Sequence, residues 1–204
     1  PVKIITTAEG GMAMTNDDEI ASRLRELRTH GITKDPKKFI NRNLGQWFYE
    51  QHTLGFNYRM NDIQAALGIS QFKRIDKIVR ERQNQFDFYR SLVKDTQIKF
   101  LEIPLNVFSS VHLAVAIIPE EYIHRYREIF DFMKLNNVGV QLHYLPVHLQ
   151  PYYEKLGFKK GDFPNAEKYS SIALSLPVYI GLTRSDQKLI IDLLKEILSS
   201  LKEC

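Results

Sequence analysis

The sequence contains a single cysteine, Cys204, and it is the last residue. An internal disulfide framework and a cysteine-ligated metal cluster are thereby excluded, and a reducing, cytoplasmic setting is expected. Long apolar runs are missing as well. The longest lies within "VHLAVAIIP" and stops at a proline, well short of the roughly 20 residues that span a bilayer, so no membrane association is expected. The start of the chain lacks the charged, apolar and small-residue layout of a signal peptide. There is no Walker loop, no G-x-G-x-x-G and no G-x-S-x-G, which leaves nucleoside triphosphatase, dinucleotide and serine hydrolase readings without support. Internal repeats and low-complexity tracts are absent too.

A strong charge bias is also lacking: 28 basic residues face 24 acidic ones, for a net charge of +4. Lys73, Arg74, Lys77, Arg80 and Arg82 cluster in "QFKRIDKIVRERQ", but Asp76 and Glu81 interleave with them. That pattern predicts the solvated face of a helix and no nucleic-acid surface. The mild excess of positive charge suits a small anionic ligand such as a nucleotide diphosphate.

What is present is enough for a real core: 204 residues, 44% of them apolar and 11% aromatic. The order of segments predicts an α/β arrangement in two unequal parts. "GMAMT" reads as a short strand, and a capped helix over 17–29 follows, with acidic residues first, cations later and Gly31 as its stop. Residues 32–56 are expected to form a long irregular connection, of the kind that is usually either functional or disordered. From Asn61 a long helix is expected to link the two parts, bent near Gly68 or Asp76, with Ile63, Ala66, Leu67, Ile69, Ile75 and Ile78 mostly buried on one side. Beyond it come strands in "IKFLEI" and "SVHLAVAII", a helix in "EEYIHRYREIFDFMKLNN", a strand in "VGVQLHY", short helices at "PYYEKLG" and "PNAEKYSSIAL", and a closing helix "TRSDQKLIIDLLKEILSSL".

The residues that could carry chemistry are individually ambiguous. His143 and His148 in "HYLPVH" straddle Pro146 and miss the one-face spacing of a helical ligand pair, so no metal is expected. Lys3 sits ahead of a Thr-Thr step and the Gly10-Gly11 pair, a context in which a lysine is ordinarily just solvated and the glycines just a turn. The bland readings beside them are a loop asparagine and a surface arginine for Asn57 and Arg59, a core residue for Tyr144 and a capped loop residue for His148.

Their order along the chain is more telling. "PVKIITTAEGG", "RTHG", "LGFNYRMNDIQAALGISQ", "VQLHYLPVHLQPYY" and "ALSLPVYIGLTRSDQ" together resemble the DegT/DnrJ/EryC1/StrS sugar aminotransferases, pyridoxal-phosphate (PLP) enzymes of the aspartate aminotransferase fold. Within that family the likeness is greatest to the UDP-4-amino-4,6-dideoxy-N-acetyl-L-altrosamine transaminases of pseudaminic acid biosynthesis.

The resemblance implies a fold-type I PLP-dependent transferase of which this chain is the C-terminal half. Residues 1–90 would hold the rest of the PLP-binding large domain and the linking helix, and 91–204 the small domain. The aspartate for the pyridinium nitrogen, the stacking aromatic and the phosphate-binding hydroxyls would precede this chain, so the fragment alone should be inactive.

The same resemblance makes Lys3 the catalytic Schiff-base residue, whose freed amine would carry a proton between cofactor and substrate carbons. Asn57 would reach the cofactor phosphate, and Arg59 the substrate region, of the partner subunit in a homodimer. His143, Tyr144 and His148 would line the nucleotide-sugar pocket. Arg28 and His30 match a family motif without an assigned role. The implied reaction moves an amino group from glutamate to C4 of a UDP-linked 4-keto-6-deoxy sugar. The alternative is a non-catalytic binding or regulatory protein that keeps the fold.

Overall fold

The computed structural model describes residues 3–41 and 45–202. Pro1 and Val2 of the lysine motif, and residues 42–44 of the long connection, lie outside the described residues. The chain divides into two compact units, the first ending at Arg74 and the second beginning at Ile75.

The first unit opens without regular structure: residues 3–15 contain no strand, so the strand expected at "GMAMT" does not form. Helix α1 spans Asp18–Leu27, started by Asp17, whose side chain accepts from Ile20 N at 2.9 Å, and by acidic Asp18 and Glu19 in its first turn. It ends in a turn where Gly31, at φ +70°, lets its N–H return to Glu26 O at 2.9 Å. Two short strands, β1 (Ile32–Thr33) and β2 (Glu50–Gln51), then pair antiparallel, with Thr33 opposite Glu50. Helix α2 (Asp62–Phe72) starts from a capping box, Gln64 N donating to Asn61 Oδ1 at 2.9 Å and Asn61 N to Gln64 Oε1 at 3.4 Å.

The single long helix expected from Asn61 is broken. α2 stops at Phe72, Lys73 and Arg74 form a turn, and α3 (Ile75–Leu92) starts the second unit. Helix α2 also contradicts the expected burial: Ile63 is 84% exposed and Ile69 59%, with Ala66 and Leu67 exposed and Phe72 at 61%. Only Gln64, Ala65, Gly68 and Gln71 are half-buried, and no residue of α2 is fully buried within this chain.

The second unit holds the core. Strands β3 (Lys99–Phe100), β4 (Ala114–Ile117) and β5 (Ala173–Leu176) form an antiparallel sheet in the order β3-β4-β5. Helix α4 (Tyr126–Leu135) is preceded by a 3-10 segment from Glu120 to Arg125, α5 (Pro151–Glu154) is a single turn, and α6 (Pro164–Ile172) runs directly into β5. The closing helix α7 (Arg184–Ser200) is capped by Thr183, whose hydroxyl accepts from Asp186 N at 3.1 Å. Phe86 and Tyr89 of α3, Ile129 and Met133 of α4, Leu174 of β5 and Ile191 and Leu194 of α7 meet in one cluster.

Three expectations fail here. "VGVQLHY" is no strand; a single bridge between Gln141 and Ser175 is all that remains of it. β5 was hidden in what reads as the end of a helix; all four of its residues are buried. Arg82 is buried and not part of a solvated face: its Nε donates to Val111 O at 2.9 Å and its Nη2 to His112 O at 2.7 Å. Among the described residues no helix is long and apolar enough to cross a membrane, and no group of three or more His, Cys, Asp or Glu gathers as for a metal ion.

Candidate active site

In the first unit the turn that follows Lys3 is hydrogen-bonded within itself. Thr7 Oγ1 donates to Glu9 O at 2.8 Å and Thr6 Oγ1 accepts from Ala8 N at 3.0 Å. A Cβ at Gly10 would lie 2.4 Å from Thr7 Oγ1 and 2.7 Å from Met60 Cε, and one at Gly68 would lie 2.8 Å from Thr7 Cγ2. Thr7 therefore packs between two glycines, one on its own turn and one on α2, whose missing side chains leave room for it. Lys3 itself is exposed and, among the described residues, enters no ion pair.

The "RTHG" and "GFNYR" stretches, separate in sequence, are zipped together. His30 N donates to Phe56 O at 2.8 Å, Phe56 N to Leu27 O at 2.6 Å and Tyr58 N to Arg28 O at 2.9 Å, and Thr29 bridges to Asn57. The glycine in each motif permits this: a Cβ at Gly55 would stand 2.1 Å from Gly31 N, and one at Gly31 would stand 2.0 Å from Thr53 O. The backbones touch where side chains would otherwise be. This pairing projects Asn57 and Arg59, both exposed, and Arg59 Nε donates to Asn57 Oδ1 at 2.9 Å. Since an arginine can only donate, the amide oxygen must face it, which leaves the Asn57 NH2 group as the outward donor.

Sequence reasoning missed Glu50, the residue that organises the long connection. It is buried, and its carboxylate accepts from Ile40 N and Asn41 N, each at 2.7 Å, with His52 Nε2 also 2.7 Å away. Burial acts to raise its pKa, but hydrogen bonds from His52, from the Ile40 and Asn41 N–H groups and from the Asn41 side chain outweigh it and bring the carboxyl down to about 2. The only available signal was an acidic residue inside an apolar, aromatic run, "WFYEQH".

In the second unit the three pocket residues divide. Tyr144 is exposed at 66%, and its ring meets that of His143 edge-on at 4.8 Å. His143 is half-buried with Nδ1 2.9 Å from Ser175 Oγ on β5. His148 is buried: its Nε2 lies 2.9 Å from Glu167 Oε1, and its ring packs 4.8 Å from Phe163. The same Glu167 oxygen accepts from Gly161 N at 2.7 Å, and the His148 bond foremost, then the Gly161 bond, hold the Glu167 carboxyl below its ordinary value. Any part His148 takes at a pocket therefore passes through the segment it anchors.

Residues 1–195 match the DegT/DnrJ/EryC1/StrS aminotransferase family. The chain belongs to that family. Among its relatives, the uncharacterised protein MJ1066 of Methanocaldococcus jannaschii is 37% identical, over 97% of this chain and 52% of its own length. A UDP-4-amino-4,6-dideoxy-N-acetyl-beta-L-altrosamine transaminase of Campylobacter jejuni is 33% identical over 100% of this chain and 52% of its own. Of solved structures, Helicobacter pylori PseC, an aminotransferase involved in pseudaminic acid biosynthesis, superposes with a TM-score of 0.83 at 28% identity, over 97% of this chain and 51% of its own. Spr1654 from Streptococcus pneumoniae, in its PMP form, superposes with a TM-score of 0.84 at 26% identity, over 97% of this chain and 51% of its own. The chain thus spans about half the length of the family members it matches, and carries part of the fold-type I architecture of PLP-dependent sugar aminotransferases.

The residues here fit one part of a PLP site. An exposed primary amine at Lys3 suits a carbonyl-bearing cofactor, and the outward amide of Asn57 suits a phosphate oxygen.

Proposed function

We propose that this chain is the lysine-bearing half of a PLP-dependent nucleotide-sugar aminotransferase, transferring an amino group from glutamate to C4 of a UDP-linked 4-keto-6-deoxy-N-acetyl sugar of the pseudaminic acid type. The observation that carries the reading is the exposed Lys3 just ahead of the Thr7 contact with Gly10 and Gly68, inside a family match that runs nearly the whole chain. The named activity of the C. jejuni relative supports the substrate class.

When bound, PLP supplies the electron sink that makes the hydrogen on the amine-bearing carbon acidic. The Lys3 Nζ is the base that takes up that proton and gives it back on the other side of the exchange. Asn57 Nδ2 donates to a phosphate oxygen, and Arg59, steadied at Nε by Asn57, offers its remaining guanidinium donors to an anionic group; in a homodimer both act on the partner subunit's site. The Tyr144 ring offers an exposed face to the sugar or base, and Ser175 sets the His143 ring beside it. His148 shapes the segment around them.

Lys3→Ala in the intact protein tests this. Transamination is expected to be lost, while calorimetry still shows the nucleotide sugar binding, because the covalent and proton-transfer steps go but the pocket stays. Full turnover by Lys3→Ala would overturn the assignment. Wild-type protein that binds the sugar yet never transaminates would instead indicate a binding or regulatory protein on the same fold.

A further inference from the structure

The Asn57–Arg59 stretch has no helix or extended strand to hold it. Its position follows from a run of backbone contacts that begins at Glu50. Glu50 pairs with Thr33, His52 N donates to Gly31 O at 3.0 Å, Gly55 rests on Gly31, and the Phe56 and Tyr58 amides dock on Leu27 and Arg28. At the head of this run the Glu50 carboxylate gathers the Ile40 and Asn41 N–H groups and His52. Phe39 and Phe48, which meet edge-to-face at 4.9 Å, flank the Glu50 region in sequence on either side. Nothing in the chemistry proposed above uses Glu50. A carboxylate with four lone-pair directions, on which His52, the Ile40 and Asn41 N–H groups and the Asn41 side chain converge, is a structural node.

We propose that Glu50 is a positioning residue for the candidate site: its carboxylate ties the Ile40–Asn41 backbone to the strand leading into Asn57 and Arg59 and so sets where those two side chains project. This rests on the reading of Asn57 and Arg59 as cofactor- and substrate-facing. The carboxylate is needed for its geometry as well as its charge. Two adjacent N–H groups require two acceptor oxygens within one plane, and an amide in the same place keeps only one. The His52 contact adds a second tie along the same strand.

Amide hydrogen exchange on the intact protein, with Glu50→Gln, tests the coupling without any activity measurement. The expected result is exchange about tenfold faster or more at Ile40 and Asn41, and also at Phe56 and Tyr58, which lie beyond direct reach of the side chain. Exchange across β4 should stay as in the wild type, showing that the second unit remains folded. Ile40→Pro provides a second variant in case Glu50→Gln does not fold. It removes one donor alone, from an exposed side-chain position that follows an extended Phe39 (φ −66°, ψ 132°), as the residue before a proline requires. With no amide left at position 40, it should speed exchange at Asn41, Phe56 and Tyr58, more weakly than Glu50→Gln does. Unchanged exchange at Phe56 and Tyr58 in both variants would overturn the proposal.

Kinetics then separate it from the reading beneath it. Faster exchange at Phe56 and Tyr58 with a higher KM for the nucleotide sugar, or weaker retention of PLP, and little change in kcat supports both. Faster exchange with KM, kcat and PLP affinity all unmoved upholds the coupling and overturns the placement of Asn57 and Arg59 in the site.

Discussion

Replacing Gly55 with alanine would place a Cβ 2.1 Å from Gly31 N, 2.5 Å from His30 C and 2.9 Å from Leu27 O. All three are backbone atoms, so no rotation of a side chain relieves the overlap, and the two motifs must separate by roughly 1 Å to restore normal contact. Three hydrogen bonds cross that seam, at His30, Phe56 and Tyr58. At about 1 kcal/mol each, their loss weakens the seam by about 3 kcal/mol, or roughly a hundredfold in the population of its open form. If Asn57 and Arg59 belong to a catalytic site, a displacement of about 1 Å lowers kcat/KM by about a hundredfold as well. Amide exchange at Phe56 and Tyr58 measures the first effect and steady-state transamination the second. Gly139→Ala is the control: nothing lies within 4 Å of the Cβ it would add, and its φ is not positive. It should leave both readouts alone and raise stability by about 0.4–1 kcal/mol through the unfolded chain. Wild-type protection at Phe56 and Tyr58 in Gly55→Ala would refute the idea that a glycine contact holds the motifs together.

Arg82→Met keeps most of the side-chain stem but removes the Arg82 hydrogen bonds to Val111 O and His112 O. A loss of about 3 kcal/mol is expected, seen as a urea midpoint lower by about 1.5 M, and Arg82→Lys should recover only part because one ammonium cannot reproduce the two-pronged contact. A shift in midpoint near zero for Arg82→Met would contradict the role given to that buried guanidinium. The Glu50 carboxyl, held at about 2 against an ordinary 4.5, makes its full contribution above about pH 4.5 and loses it as the pH falls toward 2. Protection at Ile40 and Asn41 should therefore decline between those pH values, and the decline should vanish in Glu50→Gln. Protection that rises on acidification would reverse the sign of the argument.

Wherever the pattern is local, reading along the chain was enough. The caps of α1 and α7 and the amphipathic repeat of α4 and α7 depend on residues within a turn or two of each other, and those elements form where their spacing places them. The family was legible for a related reason: its motifs are strings, and strings survive without coordinates. Elements whose stability comes from distant partners were not legible. β5 looks like the end of a helix because "SSIALSL" has no alternation, and it is a strand only because β4 lies beside it. "VGVQLHY" has strand-forming residues but finds only Ser175 to bridge. α2 carries the apolar residues of a buried helix, yet none of its residues is fully buried within this chain and Ile63 and Ile69 stay exposed.

The candidate site divides along the same line. Sequence alone marked Lys3, Asn57, Arg59, His143, Tyr144 and His148 as positions to examine, because each falls in a motif. It could not show that "RTHG" and "GFNYR" share one backbone seam, since the glycines that permit it are 24 positions apart, at Gly31 and Gly55, and a glycine in a string carries no sign of what approaches it. It could not show that His148 turns inward to Glu167 or that Arg82 leaves the solvated face for two carbonyls. Nor did it single out Glu50. Residue type and local spacing determined which helices form and which family the chain resembles; burial and hydrogen-bond partners, which depend on segments brought together from far apart, were decided only by the tertiary structure.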